Sequence, residues 1–186
     1  MASPVDVGLL RQLLDFEIAR HCGDSPLHAY AVLDAAQDPD LAMEIMRGKQ
    51  LPMSSLFEGR AAPSMMTVAP YLIAFDTKDG LLDHWSHRWG TNLGIFVISD
   101  AAPRDILKHL RHIFVVQDES GQEYFFRFYD PRVIAPFIPT CEPKEFVEFF
   151  GPVTSFVVES GQSDVLVYRR QGKSERYGLK TSQSTA

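Results

Sequence analysis

Residues 94–99 read Gly-Ile-Phe-Val-Ile-Ser, a continuous apolar run without a charged side chain. Such a run is typical of a β-strand that is covered on both faces. Two earlier strands are predicted at His28–Asp34 and Pro70–Asp76, and helical segments alternate with these three strands. The sequence therefore predicts an α/β (α+β mixed) fold, in which helices pack on a mixed β-sheet.

The helical segments have one apolar face and recognisable end signals. They are predicted at Val5–His21, Pro39–Arg47, Leu81–Trp89, Pro103–His112 and Glu142–Phe150. Asp38 is the expected N-cap of the second helix, with Pro39 at its first position. The stretch 51–59 carries only a weak signal for either helix or strand.

Two β-hairpins are predicted in the C-terminal half of the chain. In the first, the β-rich runs Phe114–Gln117 and Tyr124–Tyr129 flank a turn that contains Ser120-Gly121. In the second, Val153–Glu159 and Val165–Arg169 flank a polar turn. An exposed edge of this second hairpin is a candidate for pairing with a strand of a partner protein.

The composition is that of one ordinary globular domain. The 186 residues are 45% hydrophobic, and a chain of this size buries about 70% of the surface that it exposes when unfolded. We expect residues 1–170 to form a single α/β domain and residues 171–186 to form a polar, flexible tail. The basic residues from Arg169 onward are expected to be solvated, with contact to an acidic partner as the alternative.

Charge and hydropathy limit the possible partners and the compartment. The net charge of −6 argues against a nucleic-acid-binding protein that neutralises phosphates. The longest uncharged stretch, Ala61–Phe75, is shorter than the ~18 apolar residues of a membrane helix. The N-terminal residues do not resemble a secretory signal, and Cys22 and Cys141 show no CxxC spacing. The sequence therefore predicts a cytoplasmic protein without a membrane span.

Two histidine pairs have helical spacing that suits a metal site. His84 and His87, like His109 and His112, are three residues apart, which places both rings on one helix face. Neither pair lies in an HExxH motif, and a third ligand is not evident. The sequence also lacks GxSxG and phosphate-loop motifs. A small metal-dependent or hydrolytic enzyme that uses His84, His87 and Asp83 remains an alternative, but no cofactor is predicted.

The segment Arg127-Phe128-Tyr129-Asp130-Pro131-Arg132 places two guanidinium groups and a carboxylate at the end of a strand. Asp130 and Pro131 suit the start of a helix, so the charges could fix a bend by charge-assisted hydrogen bonds. Alternatively, Arg127 or Arg132 could present a bidentate fork to a carboxylate or carbonyl of a partner. The sequence leaves both interpretations open.

Several short motifs occur together in a characteristic order. They are Tyr30-Ala31-Val32-Leu33-Asp34-Ala35-Ala36, Ser55-Leu56-Phe57-Glu58-Gly59, Ala69-Pro70-Tyr71-Leu72, Trp89-Gly90, Gly94-Ile95-Phe96, and the segment 126–132 that ends in YDPR. This series, from about residue 28 to residue 170, resembles the bacterial type VI secretion adaptor domain, also called the effector chaperone domain.

The resemblance implies a non-enzymatic cytoplasmic protein that binds a toxic effector and helps to load it onto the VgrG spike or its tip. The resemblance offers no catalytic residues, and the net charge and hydropathy already argue against a nucleic-acid or membrane partner. The motif residues expected to bind a partner or to support the fold are Asp34, Glu58, Trp89, Arg127, Tyr129, Asp130 and Arg132. We expect the additional helical lobe of longer members to be missing or reduced. A peptide-binding regulatory module is a further alternative.

Overall fold

A computed structural model of the protein describes residues 4–20, 26–48, 51–57 and 65–180. The helices in these ranges are α1 (Val7–Ala19), α2 (Pro39–Gly48), α3 (Leu81–His87), α4 (Pro103–Phe114), α5 (Pro131–Phe137) and α6 (Pro143–Phe150). The strands are β1 (His28–Asp34), β2 (Met53–Ser55), β3 (Pro70–Phe75), β4 (Gly94–Ser99), β5 (Val115–Gln117), β6 (Glu123–Phe125), β7 (Ser155–Ser160), β8 (Asp164–Arg169) and β9 (Lys173–Gly178). No helix in the described ranges is long and apolar enough to cross a membrane.

Seven of these strands form one sheet, in the order β2-β3-β1-β4-β7-β8-β9. The predicted α/β class, with helices packed on a sheet, is confirmed. All neighbouring strands are antiparallel, whereas a mixed sheet was expected. The difference arises because α3 connects β3 to β4 across β1. These two strands are parallel to each other but are separated by the antiparallel β1.

Apolar side chains cover both faces of the sheet. On one face, Phe96 and Ile98 of β4 belong to a core that includes Leu14 of α1 and Trp85 of α3. On the other face, Ile95 and Val97 belong to a core that includes residues of α4, α5 and α6. The prediction that β4 is covered on both faces is therefore confirmed. Phe149 and Phe150 of α6 are buried in the second core.

Gly94 is required at the start of β4 because the neighbouring strand approaches it closely. Its φ is +151°, and a Cβ atom at this position would lie 1.9 Å from the carbonyl oxygen of Val32. The ring of Trp85 lies on the same side. A larger residue cannot be accommodated unless β1 and β4 move apart.

The first predicted hairpin is present, but it is shorter than expected and separate from the main sheet. Strands β5 and β6 form their own two-stranded sheet. Residues Phe126–Tyr129, which the pattern assigned to the second strand, lie outside β6. Phe128 and Tyr129 leave the strand because their side chains are buried against the main domain.

The C-terminal expectations require two corrections. Residues 173–178 were expected to belong to a flexible tail, but they form edge strand β9, paired with β8 along its whole length. For the same reason, the outer edge of the β7–β8 hairpin is occupied and is not available to a partner strand. The last six residues of the predicted tail, 181–186, lie outside the described residues.

A buried ion pair attaches α1 to this end of the sheet. Arg169 of β8 donates to the Glu17 carboxylate through Nη2 at 2.6 Å and Nε at 3.0 Å. Both side chains are at least 95% buried, and Tyr177 of β9 also accepts from Arg169. The expectation that Arg169 is solvated is wrong. Its guanidinium pairs with a carboxylate 152 residues away in the sequence.

We expect Glu17→Ala to lower the free energy of unfolding by about 3 kcal/mol, because it leaves Arg169 buried without its main partner. Arg176→Ala is the matched control, since Arg176 forms an exposed ion pair with Asp164, and its loss should cost less than about 1 kcal/mol. Urea denaturation of the three proteins measures both effects. Equal losses in the two variants would contradict the buried ion pair.

We also expect Gly94→Ala to cost about 3 kcal/mol, since the added methyl group overpacks the contact between β1 and β4. Gly161→Ala provides the control, because Gly161 also has a positive φ, of +67°, but nothing within 4 Å of the added Cβ. Its conformational cost should be about 1 kcal/mol. Thermal unfolding of both variants separates the cost of the steric clash from the cost of backbone strain. Similar losses of stability in the two variants would argue against the clash.

Candidate functional site

The YDPR segment lies where the β5–β6 hairpin joins the end of β1. Asp34, the last residue of β1, is only 1% exposed. Its carboxylate accepts a hydrogen bond from Nη2 of Arg127 at 2.6 Å and from the backbone N–H of Ala36 at 3.1 Å. The two ionic partners are 93 residues apart in the sequence. Their pairing therefore fixes the chain after the hairpin to the centre of the main sheet.

Asp130 begins α5 and joins the second arginine to this network. Its carboxylate accepts from the backbone N–H and Nε of Arg132, each at 2.9 Å, and from Nη2 at 2.7 Å. The predicted N-cap before Pro131 is confirmed. Nη2 of Arg127 lies 3.6 Å from the same carboxylate. Asp130 thus stabilises the helix start and both guanidinium groups at once.

Burial and neighbouring charges shift the pKa values of Asp130 and Tyr129 in this network. Burial alone would raise the pKa of Asp130, but the hydrogen bonds and charge of Arg132 lower it below its ordinary value. Burial, together with the charge of Asp34, raises the pKa of Tyr129 to about 12. The Tyr129 hydroxyl is therefore a neutral group at physiological pH, and its ring lies beneath the Arg127 guanidinium at 5.8 Å.

Glu159 is a further member of this region that the sequence interpretation missed. It lies near the end of β7, is 7% exposed, and accepts from the backbone N–H groups of Gly90 and Asn92. Burial raises its pKa, and the negative charge of Asp130 contributes in the same direction. The sequence did contain a signal for the burial of Glu159, because this carboxylate directly follows the apolar pair Val157-Val158.

The remaining motif residues have different positions. Trp89 is buried in the core beside α3, away from solvent, and its Nε1 has no hydrogen-bond partner among the described residues. Glu58 lies outside the described residues. The structure therefore brings together Asp34, Arg127, Tyr129 and Asp130 with Arg132, and it assigns Trp89 to packing.

One histidine of each pair contacts a backbone carbonyl group. His87 contacts the carbonyl oxygen of Asp83 through Nδ1 at 2.7 Å, and His109 contacts that of Phe149 through Nε2 at 2.9 Å. Burial lowers the pKa of His109. In the part of the chain that the structure describes, no group of three or more His, Cys, Asp or Glu residues is placed to hold a metal ion.

Among the described residues, the hairpin has the largest concentration of exposed large apolar side chains. We define the hairpin surface as Val115, Val116, Tyr124 and Phe125, all of which are exposed. Tyr124 and Phe125 are 53% and 59% exposed, respectively. The register pairs Val115 with Phe125 and Val116 with Tyr124, so apolar pairs occupy both faces of the hairpin. Exposed large apolar side chains grouped in this way favour an interaction site.

Contacts at its base hold the hairpin against the domain. The Phe125 ring stacks on Phe114 at a centroid distance of 4.8 Å and meets the edge of Phe57 at 5.3 Å. The N–H of Phe126 donates to the carbonyl oxygen of Phe114 at 2.8 Å. Arg127 follows immediately and pairs with Asp34. The ion network and these aromatic contacts together present the hairpin surface to solvent in a fixed position.

We expect Asp130→Asn to lower the free energy of unfolding at pH 7 by about 1–3 kcal/mol, because it breaks charge-assisted hydrogen bonds to a buried group. Because folding lowers the pKa of Asp130, its carboxylate contributes fully to the free energy of unfolding above the ordinary carboxyl pKa of about 3.9. This contribution is lost as the pH falls through the lower pKa of the folded protein. The difference in unfolding free energy between wild type and Asp130→Asn should therefore be smaller in denaturation at pH 3 than at pH 7.

Glu148→Gln, on the exposed side of α6, controls for the removal of one carboxylate. It should leave stability unchanged within about 0.5 kcal/mol. A loss in Asp130→Asn that is independent of pH would contradict the ionic role of Asp130.

Comparison with known proteins gives one match. The family model described as "Domain of unknown function (DUF4123)" matches residues 29–147, which is more than half of the chain. This range includes Asp34, the hairpin surface and the arginine network. No curated protein and no solved structure matches the chain. The coverage of the family model shows that the chain belongs to the DUF4123 family.

Proposed function

We propose that the protein is a cytoplasmic adaptor, without catalytic activity of its own, that binds a toxic type VI secretion effector and promotes its loading onto the VgrG spike or its tip. The observation that carries this proposal is the hairpin surface. Four of the eight large apolar side chains that are exposed in the described residues lie in the six residues of β5 and β6. Such a concentration favours a protein-binding role over a small-molecule site.

The composition of the hairpin surface supports this proposal. Aromatic side chains are enriched where protein interfaces bind most strongly, because they bury a large area at a small cost in conformational entropy. Tyr124 and Phe125 provide two such side chains, and the two valines beside them are rigid at χ1. The hairpin surface therefore offers an apolar interface centre that is already ordered before binding.

The arginine network supports the same proposal through its structural role. Asp34 and Asp130 are both occupied by hydrogen bonds from arginines and from the backbone. Their geometry fits a fixed attachment of the hairpin, which is the first of the two interpretations of the YDPR segment. The protein would then use its charged motif to hold a binding surface in place, and the surface itself to contact the partner.

The family supports the secretion context. DUF4123 domains are known from adaptors that load type VI effectors, and the match at 29–147 falls within the stretch whose motifs resemble that domain. The cytoplasm is the compartment in which such loading takes place. Two partners, an effector and the VgrG spike or its tip, follow from this proposal.

Co-expression of the tagged protein with the effector and spike genes encoded beside it tests the proposal. We expect co-elution of the adaptor with the effector in size-exclusion chromatography, and recovery of VgrG only when all three proteins are present. Elution of the adaptor alone, with both partners folded, would overturn the proposed function.

We expect the double substitution Val116→Ser with Tyr124→Ser to weaken the effector complex at least tenfold, which corresponds to about 1.4 kcal/mol or more. Val147→Ser is the matched control, because Val147 on α6 is 65% exposed and lies outside the hairpin surface. Biolayer interferometry with the immobilised effector measures the affinities. Unchanged affinity of the double variant, or an equal loss in Val147→Ser, would show that the hairpin surface is not the interface.

A further inference from the structure

We propose that the β5–β6 hairpin binds its partner by strand addition: an extended segment of the partner pairs with an outer edge of the hairpin, with basic side chains beside the turn and acidic side chains beside α4. This inference rests on the proposed adaptor function and identifies the chemistry of the segment that the adaptor takes. It follows from the backbone pattern of the hairpin, from the positions of its apolar pairs and from the charges at its two ends.

The backbone of the hairpin has unpaired edges. In the described residues, β5 and β6 pair with each other and with no other strand. The inward hydrogen bonds include Asp118 N–H to Gln122 O and Phe126 N–H to Phe114 O. Because inward and outward positions alternate in an antiparallel pair, Gln117 and Glu123 direct their backbone groups outward. Each edge therefore offers donors and acceptors to an added strand.

The side chains of the hairpin provide apolar contacts for a strand that pairs with its backbone edge. The Val115–Phe125 pair lies on one face and the Val116–Tyr124 pair on the other. A strand added in the plane of the hairpin would lie beside both pairs and could bury apolar side chains on both faces. A two-stranded hairpin is only marginally stable by itself, and a third strand with apolar faces stabilises it. The occupant that fits is an extended segment with several consecutive apolar residues.

The charges at the two ends of the hairpin give the segment a direction. The turn carries Asp118 and Glu119, and Glu123 begins β6 next to it; all three are exposed. At the other end, α4 runs directly into β5, and an open cavity of about 430 Å³ on this helix is lined by Arg104, Leu107, Lys108, Arg111 and His112. Along the chain, the side chains thus change from basic on α4, through the apolar pairs of the hairpin, to acidic at the turn. A segment of complementary charge would place Lys or Arg beside the turn and Asp or Glu beside α4.

The outer edge of the main sheet at β9 fits this role poorly. Strand β9 is exposed and carries Lys173, Glu175 and Arg176. Charged side chains along an edge strand oppose pairing with another chain. The hairpin combines unpaired edges with apolar side chains, so it is the better acceptor of a partner strand.

Synthetic peptides test the inference without the natural partner. Two fluorescent ten-residue peptides share a core of consecutive Val and Ile residues and carry a Lys pair at one end and a Glu pair at the other, in opposite orders. We expect fluorescence anisotropy to show that one order binds the full-length protein at least tenfold more tightly than the other. A third peptide, with a Gly/Ser core and the same charges, should not bind. Equal binding of both orders, or no binding of either, would overturn the inference.

Proline substitutions test whether the backbone edge is used. Gln117→Pro and Glu123→Pro remove one outward N–H from β5 and from β6, respectively, and leave the inward hydrogen bonds in place. We expect one of the two variants to lose at least tenfold in affinity for the preferred peptide, with the melting temperature unchanged. Wild-type affinity in both variants would overturn strand addition. Should either variant unfold, amide protection of the hairpin in the wild type with bound peptide decides the question, and absent protection overturns the inference.

Charge reversal tests the direction of the segment. Glu119→Lys combined with Glu123→Lys should reduce the preference between the two peptide orders at least fivefold, because the acidic end of the surface is lost. Glu148→Lys, on α6 and outside the hairpin, is the matched control and should keep the wild-type preference. An unchanged preference in the double variant would contradict the assigned direction.

The outcome for this inference can be distinguished from that for the proposed function. If the effector complex forms equally well with wild type and both proline variants, the adaptor function stands and strand addition fails. If the peptides bind as expected but no effector or spike complex forms, strand addition stands and the adaptor function fails. A dimer of the protein alone that Gln117→Pro or Glu123→Pro dissociates would show that a second copy covers the hairpin, and would overturn the inference.

Discussion

The ion pair between Asp34 and Arg127 is the contact on which the candidate site depends. A carboxylate buried at the end of a central strand is costly unless a positive charge and hydrogen bonds compensate it. Arg127 supplies this compensation at 2.6 Å, and its position fixes the chain at the exit of the hairpin. Asp130 then begins α5 within 3.6 Å of the same guanidinium. One interaction between distant parts of the sequence therefore sets the position of the hairpin, the start of a helix and the second arginine.

This attachment explains how the fold can keep an apolar hairpin in solvent. The main sheet is covered by helices on both faces, so its own apolar strands are unavailable to a partner. The hairpin lies outside that core and is held by its base, through Phe114, Phe57 and Arg127. A rigid base and an exposed pair of strands together give a preorganised surface, which reduces the entropy lost on binding. In this account the charged motif positions the surface, and apolar and backbone groups make the contact.

Local patterns were sufficient to predict much of the fold. The apolar run at 94–99 identified the central strand, and the turn at Ser120-Gly121 identified the hairpin. Such patterns could not predict contacts between residues that are far apart in the sequence. The charges of β9 resemble those of a solvated tail, and only the antiparallel pairing with β8 makes residues 173–178 a strand. Likewise, Glu159 and Asp34 look like ordinary polar residues until the fold places them beside Gly90 and Arg127. The site residues at 127–132 could be selected from their composition, but their structural role required the partner at residue 34.

The central claim is that the β5–β6 hairpin is the surface by which this DUF4123 protein holds its partner. Hydrogen exchange measured by mass spectrometry, on the protein alone and on the complex co-purified with the neighbouring effector, tests this claim most directly. The account predicts rapid exchange of the outward amides of residues 115–125 in the free protein and strong protection in the complex, with little change in β4 and β7. Protection confined to other parts of the chain, with the hairpin exchanging equally fast in both samples, would contradict it.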